Sequence, residues 1–353
     1  NKKRFFKNTY LLSHGSASKG NEVPVQFFLE SLNYHLKNAF KYHKISSIIM
    51  CCEMHGFFYK YSNNISNYFS WRFADKHTNK VINIMKNKRV LNSTNIIPRP
   101  GLPVVTLSSL AKKKKFKKNL KILFIPQLIC EKLGYSEDVV HSTLGQASGF
   151  YIQNKSINNF LNLNLELPKF SNKDLSFIGE IKYKKTTIPV LGGYGDLQAS
   201  LYNIQNNEWN INLGTGSQIV IKTTKKITNF ETRAFFNGRN IQCISHLPAG
   251  RSLNLIANLF KSIREDNNTN FFWKKIKNLQ HNYFNDRVNL KTDLNFFEQN
   301  NNFFKGGYIK YINGNNLELN NLLISIINSM AHNYATIINK AKRYNLKKII
   351  NLY

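Results

Sequence analysis

The sequence has few cysteines, few acidic residues and no long apolar run. Its four cysteines, Cys51, Cys52, Cys130 and Cys243, show no Cys-x-x-Cys spacing. We interpret them as buried thiols in a reducing compartment rather than as a disulfide framework or a zinc site. The longest apolar stretches, such as 48–52, are far shorter than the roughly 20 residues that span a bilayer, which predicts no membrane partner.

The shortage of acidic residues makes the 353-residue chain strongly basic, with 19 Asp and Glu against 50 Lys and Arg and a net charge of +31. Such a charge can indicate nucleic-acid binding. Asn, however, occurs 51 times, and Lys, Ile, Phe and Tyr are also frequent. All five have A/T-rich codons, so mutational drift explains the charge better, and we expect no nucleic-acid partner. The lysine run at 112–118 is then a solvated surface segment. No secretory leader follows Asn1, which predicts a cytoplasmic protein.

Apolar spacing along the chain predicts alternating helices and strands with glycine turns at strand ends, which indicates an α/β protein. We place a domain boundary near residue 205, giving domains 1–205 and 206–353. A helical region up to residue 133, interrupted at Pro126, and a glycine turn at 192–195 are expected in the first domain. The predicted helices are 25–40, 253–263 and 317–342, and the predicted strands are 45–52, 57–61, 189–191, 209–213, 218–223 and 347–352, the last of them buried.

Asp196 follows the glycine-rich segment 192–195. A carboxylate in such a place is held on rigid backbone and open to a cleft, as a general base for a hydroxyl must be. The alternative is that Asp196 is a helix N-cap that accepts hydrogen bonds from first-turn amides.

The second candidate site is the segment 212–217, Asn-Leu-Gly-Thr-Gly-Ser. A strand that runs into a Gly-Thr-Gly turn exposes backbone N–H groups and a hydroxyl, which suit phosphate oxygens. No Lys follows the glycines as a Walker loop requires. A tight β-hairpin turn is the alternative.

A third candidate is His55, which follows Met54 at a strand end. A neutral His can hydrogen-bond a hydroxylated ligand, but a lone His is more often structural. The sequence has no His-Glu-x-x-His motif and no Cys/His cluster, so we predict no tightly held metal.

The order and spacing of these segments resemble the FGGY carbohydrate kinases over nearly the whole chain. The matching stretches are Met-His-Gly at 54–56, Ser-Trp at 70–71, Gly-Asp-Leu-Gln-Ala-Ser at 195–200 and Asn-Leu-Gly-Thr-Gly-Ser-Gln at 212–218. The variant at 195–200 is that of the family's sedoheptulose-phosphorylating members. The resemblance implies a two-domain actin-like, ribonuclease-H-like ATPase fold, with the sugar and MgATP in a cleft between an N-terminal sugar domain and a C-terminal nucleotide domain.

The resemblance also implies roles for individual residues. Asp196 matches the catalytic base that takes the proton from the sugar's terminal hydroxyl. The positions that match sugar-binding residues are Met54, His55, Trp71, Asp75 and Gln198. The positions that match nucleotide-binding residues are Gly214, Thr215, Gly216, Gly250 and Asn254.

Three departures from the family pattern stand out. The family's opening Asp-x-Gly-Thr loop and its adenosine loop beyond 347–352 have no counterpart here, so we expect the chain to lack both termini. The acid expected soon after Trp71 is matched by Asp75 only if two residues are inserted. The predicted function is ATP-dependent phosphorylation of a ketose, most specifically sedoheptulose to its 7-phosphate. The alternative is a non-catalytic sugar-binding member, and the oligomeric state is left open.

Overall fold

The structure is a computed structural model that divides the chain into two compact units. Unit 1 comprises residues 1–203 and 233–240, and unit 2 comprises residues 204–232 and 241–353. The predicted boundary at 205 lies beside the first of these divisions, whereas the return of 233–240 to unit 1 was not expected. The described residues are 22–91, 96–113, 116, 119–151, 156–214, 216–265, 268–279, 289–294, 307–341, 344, 346–347 and 349–352.

Unit 1 is a mixed α/β body. Its strands are β1 (Glu22–Val23), β2 (Ile48–Cys52), β3 (Phe58–Tyr61), β4 (Asn64–Ile65), β5 (Tyr68–Phe69), β6 (Asn119–Leu123), β7 (Gly134–Ser136), β8 (Val139–His141), β9 (Asn164–Glu166), β10 (Lys169–Ser171), β11 (Phe177–Tyr183) and β12 (Thr186–Gly195). Its helices are α1 (Val25–Tyr42), α2 (Thr78–Asn87), α3 (Pro103–Lys113), α4 (Ile125–Leu133), α5 (Ser142–Gly145), α6 (Ser156–Leu161) and α7 (Asp196–Ser200).

The sheet that carries the site has the strand order β2-β12-β11-β7. β12 is parallel to β2 and antiparallel to β11. Leu36 of α1, Ile129 of α4 and Ile188 of β12 share one buried cluster, so α1 and α4 cover one face of this sheet. A second sheet, β4-β3-β6-β9, packs in a separate core with α2 and α3.

Unit 2 is built on the strands β13 (Trp209–Leu213), β14 (Ser217–Lys222), β16 (Asn240–Leu247) and β19 (Ile350–Leu352), with β15 (Glu231–Ala234) where the chain passes to unit 1. β13 is antiparallel to β14 and parallel to β19. The helices are α8 (Gly250–Arg264), α9 (Asn270–Lys277) and α10 (Leu319–Lys340), beside a hairpin of β17 (Lys291–Leu294) and β18 (Gly307–Lys310). Ile337 of α10 packs on this sheet, and Leu323 of the same helix packs with α8 and α9.

Several sequence predictions about local structure are wrong. Cys51 is exposed rather than buried, because β2 alternates and sends Met50 and Cys52 to the core instead. Residues 119–123 form β6 within the expected helical region, and Pro126 lies in the first turn of α4, where proline is tolerated, rather than interrupting a helix.

Two further corrections concern strand ends. Residues 192–195 are not a turn but the last part of β12, with a register shift between Gly192 and Tyr194. Gly193 has a φ of +76°, and a Cβ there would lie 2.7 Å from Ile178, so this irregular strand depends on glycine. The C-terminal strand β19 is paired to β13 but is largely exposed at the edge of its sheet, with Leu352 66% exposed.

No described helix combines the length and apolar character that crossing a membrane requires. Of the lysine run, Lys112 and Lys113 are exposed at the end of α3, and the other lysines lie outside the described residues.

Candidate active site

The site in unit 1 forms where two parallel strands end side by side. Cys52 at the end of β2 pairs with Gly195 at the end of β12. Asp196 follows Gly195 directly and Met54 lies two residues beyond Cys52, so the topology brings them together at the carboxyl edge of the sheet. The Met54 N–H donates to Asp196 Oδ1 at 3.3 Å, and the Leu197 N–H donates to the same oxygen at 2.8 Å. Two backbone amides therefore hold one carboxylate oxygen in place.

Asp196 itself is exposed and is the first residue of α7. The N-cap position belongs to Gly195, so the interpretation of Asp196 as the cap residue does not match its place in the helix. Its hydrogen bond from Leu197 still anchors it to the first turn. An exposed carboxylate with a fixed orientation can accept a proton from a bound hydroxyl.

Gln198 lies beneath Asp196 and is fully buried. Its Nε2 donates to the carbonyl oxygen of Ala234 at 3.2 Å and, more weakly, to that of Thr143 at 3.5 Å. Its Oε1 is buried and has no hydrogen-bond partner among the described residues. A Cβ on Gly195 would lie 2.8 Å from both Gln198 Oε1 and Met54 Cγ, so glycine permits this close packing.

His55 has contacts on both ring nitrogens. Nδ1 lies 2.7 Å from the carbonyl oxygen of Ala147, and Nε2 lies 3.3 Å from the Arg99 guanidinium. Because a guanidinium can only donate, Nε2 accepts and the proton of the neutral ring is on Nδ1. Arg99 is buried, and it is not among the residues predicted from the sequence. Its only signal was its place in the Pro-Arg-Pro-Gly segment at 98–101.

Trp71 is partly buried, and its main chain packs closely against the segment that carries Arg99. Gly101 has a φ of +76°, and a Cβ there would lie 1.5 Å from the carbonyl oxygen of Trp71. The Arg72 guanidinium stacks 4.3 Å from the centre of the Trp71 ring and lies 3.9 Å from the Glu53 carboxylate. Burial raises the pKa of Glu53, while Tyr68, Ser70 and Arg72 oppose that shift.

Asp75 belongs to a different network. Its carboxylate accepts hydrogen bonds from the His77 N–H at 2.8 Å and from the Ser109 hydroxyl, and it pairs with Lys113 at 2.9 Å. Desolvation raises its pKa, but these partners outweigh desolvation and lower the pKa to about 2. None of these partners is a predicted site residue, so a sugar-binding role for Asp75 has no support from its described contacts.

In unit 2, two of the predicted nucleotide positions are in contact. β13 and β14 form an antiparallel pair that closes at Leu213 and Ser217, so Gly214 and Gly216 lie in the short turn between the two strands. The Gly250 N–H at the start of α8 donates to the carbonyl oxygen of Gly214 at 3.1 Å. Asn254 is exposed in the next turn of α8, and Thr215 lies outside the described residues.

The turn is open at Gly216, where an added Cβ would have no atom within 4 Å. Gly214 and Gly216 are both exposed. The Gly250 N–H is used in its contact with Gly214, but the positive end of the α8 dipole beside the open turn favours an anion. The hairpin and the phosphate-site interpretations are therefore compatible, because the turn that closes the hairpin also borders the start of α8.

Within the described part of the chain, no three His, Cys, Asp or Glu side chains form a group that could hold a metal ion.

Solved structures of sugar kinases superpose on most of this chain. A ligand-bound xylulose kinase from Lactobacillus acidophilus superposes with a TM-score of 0.73 at 14% identity, over 94% of this chain and 72% of that one. A gluconate kinase from the same organism gives 0.74 at 16% identity, also over 94% and 72%. Plasmodium falciparum glycerol kinase with ADP gives 0.73 at 12% identity, over 94% and 73%.

No family model and no curated protein sequence matches the chain. At these identities the superpositions bear on the fold, and they confirm the fold that the sequence predicts. The narrower resemblance to the sedoheptulose-phosphorylating members stays a prediction. The chain has the actin-like, ribonuclease-H-like fold of the FGGY carbohydrate kinases.

Proposed function

We propose that this chain is an ATP-dependent carbohydrate kinase that phosphorylates a terminal hydroxyl of a ketose. The proposed substrate is sedoheptulose, and the products are sedoheptulose 7-phosphate and ADP. The observation that carries the proposal is the Asp196 carboxylate, exposed at the carboxyl edge of the sheet and held there by the amides of Met54 and Leu197.

Asp196 acts as the general base in this proposal. The terminal hydroxyl of the sugar donates a hydrogen bond to the carboxylate, which takes the proton as the oxygen attacks the γ-phosphorus. The bond from that phosphorus to the β,γ-bridging oxygen breaks, and ADP leaves. Phosphoryl transfer depends on positioning and charge stabilisation more than on covalent help from the protein, so one fixed carboxylate suits the task.

Sugar binding is assigned to the residues around Asp196. Met54 and Trp71 supply partly or fully buried apolar surface, whereas His55 and Arg99 supply a polar wall. The buried Gln198 contributes by packing under the Asp196 turn. A wall that mixes apolar and hydrogen-bonding groups is typical of pockets for polar small molecules.

The nucleotide is assigned to unit 2. The start of α8 at Gly250, beside the exposed turn at Gly214 and Gly216, offers a favourable helix dipole to the phosphates. Asn254, one helical turn further along α8, is a polar contact at the same end. Mg²⁺ would accompany ATP and would neutralise charge on the phosphoryl oxygens, held mainly by the phosphates and waters.

The test is a coupled ADP-release assay on the purified 353-residue chain with sedoheptulose, xylulose, gluconate and glycerol. The proposal predicts the highest kcat/KM for sedoheptulose and a phosphate ester on its terminal carbon. Sugar binding by calorimetry without ADP release would support the non-catalytic alternative instead. The absence of both binding and turnover with all four compounds would overturn the proposal.

We also propose a cytoplasmic protein without a nucleic-acid partner. In a gel-shift assay at increasing salt, we expect weak, sequence-independent binding of DNA and RNA that disappears at moderate salt. Binding that persists at physiological salt would contradict this part of the proposal.

A further inference from the structure

A fully buried series of hydrogen bonds, from His141 through Thr143 to the Gly195 N–H, leads to the residue before Asp196. The side chains of His141 and Thr143 are both 0% exposed. Thr143 Oγ1 lies 3.1 Å from the Gly195 N–H and 2.8 Å from His141 Nδ1. Because a backbone N–H can only donate, the Thr143 oxygen accepts from Gly195. The Thr143 N–H also donates to His141 Nδ1, which makes Nδ1 an acceptor, so the Thr143 hydroxyl donates its own proton to His141.

The same contacts fix the state of the histidine. His141 Nδ1 accepts from the Thr143 hydroxyl and also from the Thr143 N–H at 3.3 Å, as the cap of α5. A nitrogen that accepts carries no proton, so the neutral ring has its proton on Nε2. That nitrogen has no hydrogen-bond partner within the described residues and lies 3.9 Å from Asp174 Oδ1.

The surroundings of the His141 ring are aromatic on two sides and disfavour its charged form. Tyr194 of β12 contacts it edge-on at 4.9 Å, and Phe236 lies against it at 5.7 Å. Asp174 is the acidic group that faces it, and the Asn237 N–H donates to that carboxylate at 2.7 Å. Burial lowers the pKa of His141, and Asp174 opposes the shift only in part.

The hydrogen-bonded series from His141 through Thr143 ends at the peptide that precedes the proposed base. Gly195 is the last residue of β12, and its N–H is held by a side chain, Thr143, rather than left to the strand end. We propose that Thr143 and His141 are positioning residues for Asp196. Thr143 fixes the Gly195 peptide, and His141 fixes the rotamer of the Thr143 hydroxyl.

This inference rests on the proposed function, but it makes a separate structural claim. Neither side chain contacts the Asp196 carboxylate, so neither is a catalytic residue. A misplaced base slows the chemical step and leaves sugar binding nearly unchanged. A displacement of the base of the order of 1 Å can cost roughly 10²-fold in rate.

The deciding variant is Thr143→Val, which keeps the shape and removes the hydroxyl. We expect kcat with the sugar to fall about 10- to 100-fold and KM to change less than about threefold. Thr143→Ser restores the hydroxyl and should recover most of kcat. Thr106→Val is the matched control, because Thr106 is also buried but lies in α3. It should retain wild-type kcat.

Two measurements do not depend on activity. Amide hydrogen exchange at Gly195 should be about fivefold faster or more in Thr143→Val, as expected for the loss of one hydrogen bond. Nitrogen-15 NMR of the wild-type protein should show His141 as the Nε2–H tautomer. An Nδ1–H tautomer, unchanged Gly195 exchange, or wild-type kcat in Thr143→Val would overturn the inference. An inactive wild-type chain with the expected exchange and tautomer would overturn the proposed function alone.

Discussion

The Met54 N–H lies 3.3 Å from Oδ1 of Asp196, although the two residues are 142 positions apart in the sequence. The contact exists because each residue follows one of two neighbouring parallel strands, β2 and β12. The sheet therefore positions the carboxylate that the proposed reaction needs.

The open turn at Gly216 provides a test of the nucleotide assignment. Gly216→Ala adds a methyl group that meets no protein atom within 4 Å, so the melting temperature should stay near wild type. If phosphates occupy that space, KM for ATP should rise about tenfold or more, as expected when one charge-assisted contact is lost. KM for the sugar should not change.

Gly314→Ala is the control for this variant. Gly314 is also in unit 2 with nothing within 4 Å of an added Cβ, but it lies outside the proposed site. It should match the wild type in stability and in KM for ATP. Equal KM values for both variants and the wild type would remove Gly216 from the nucleotide site.

Gly101 tests the close packing between Trp71 and the segment that carries Arg99. Gly101→Ala combines a strained φ of +76° with a Cβ 1.5 Å from the Trp71 carbonyl oxygen. We expect a loss of more than about 2 kcal/mol in the free energy of unfolding, since left-handed strain alone is worth about 1–3 kcal/mol. Denaturant titration measures it.

Gly238→Ala separates strain from contact. Gly238 has a similar φ of +65° but no atom within 4 Å of an added Cβ. It should therefore lose only the strain contribution. If both variants lose the same stability, the close approach of Gly101 to Trp71 is not important.

Asp75 is expected to act on stability rather than on the sugar. Asp75→Ala removes the partner of Ser109 and Lys113 and the acceptor for the His77 amide before α2. We expect a loss of roughly 1–2 kcal/mol, as for a lost helix cap, with KM for the sugar unchanged. A KM that rises at least tenfold without a loss of stability would show a sugar-binding role.

The pH dependence of this contribution follows from the pKa of Asp75. The folded pKa of about 2 lies below the ordinary value of 3.8, so the unfolded chain binds the proton more tightly. The stabilisation is therefore fully present above about pH 4 and is lost as the pH falls towards 2. Asp75→Ala should lack this component in acid titrations followed by circular dichroism.

The sequence predicted the long elements well because their signals are local. The helices α1, α8 and α10 follow apolar residues at three- and four-residue spacing, and β13 and β14 follow a strand–turn–strand pattern. It failed at β6, because the five residues Asn-Leu-Lys-Ile-Leu are too few for apolar spacing to distinguish a strand from a helix. It also failed at 192–195, where glycine indicates a turn but here serves an irregular strand.

The candidate site was predicted only in part for a similar reason. Asp196, Met54 and His55 lie beside strand ends, and the family pattern selects them. Arg99 and Thr143 have no such signal, because each reaches the site through long-range contacts to His55 and Gly195. Contacts of this kind depend on the tertiary fold and cannot be derived from spacing along the chain.

The proposed phosphoryl transfer depends on Asp196 as its general base. Asp196→Asn is nearly isosteric, and its carbonyl oxygen can still accept from the amides of Met54 and Leu197, so the fold and sugar affinity should stay near wild type. The measurement is kcat for ADP release in the presence of sedoheptulose, with sugar affinity and melting temperature recorded on the same samples. We expect kcat to fall by roughly 10²- to 10⁴-fold. A near-normal kcat in Asp196→Asn would contradict the role of Asp196 as the base.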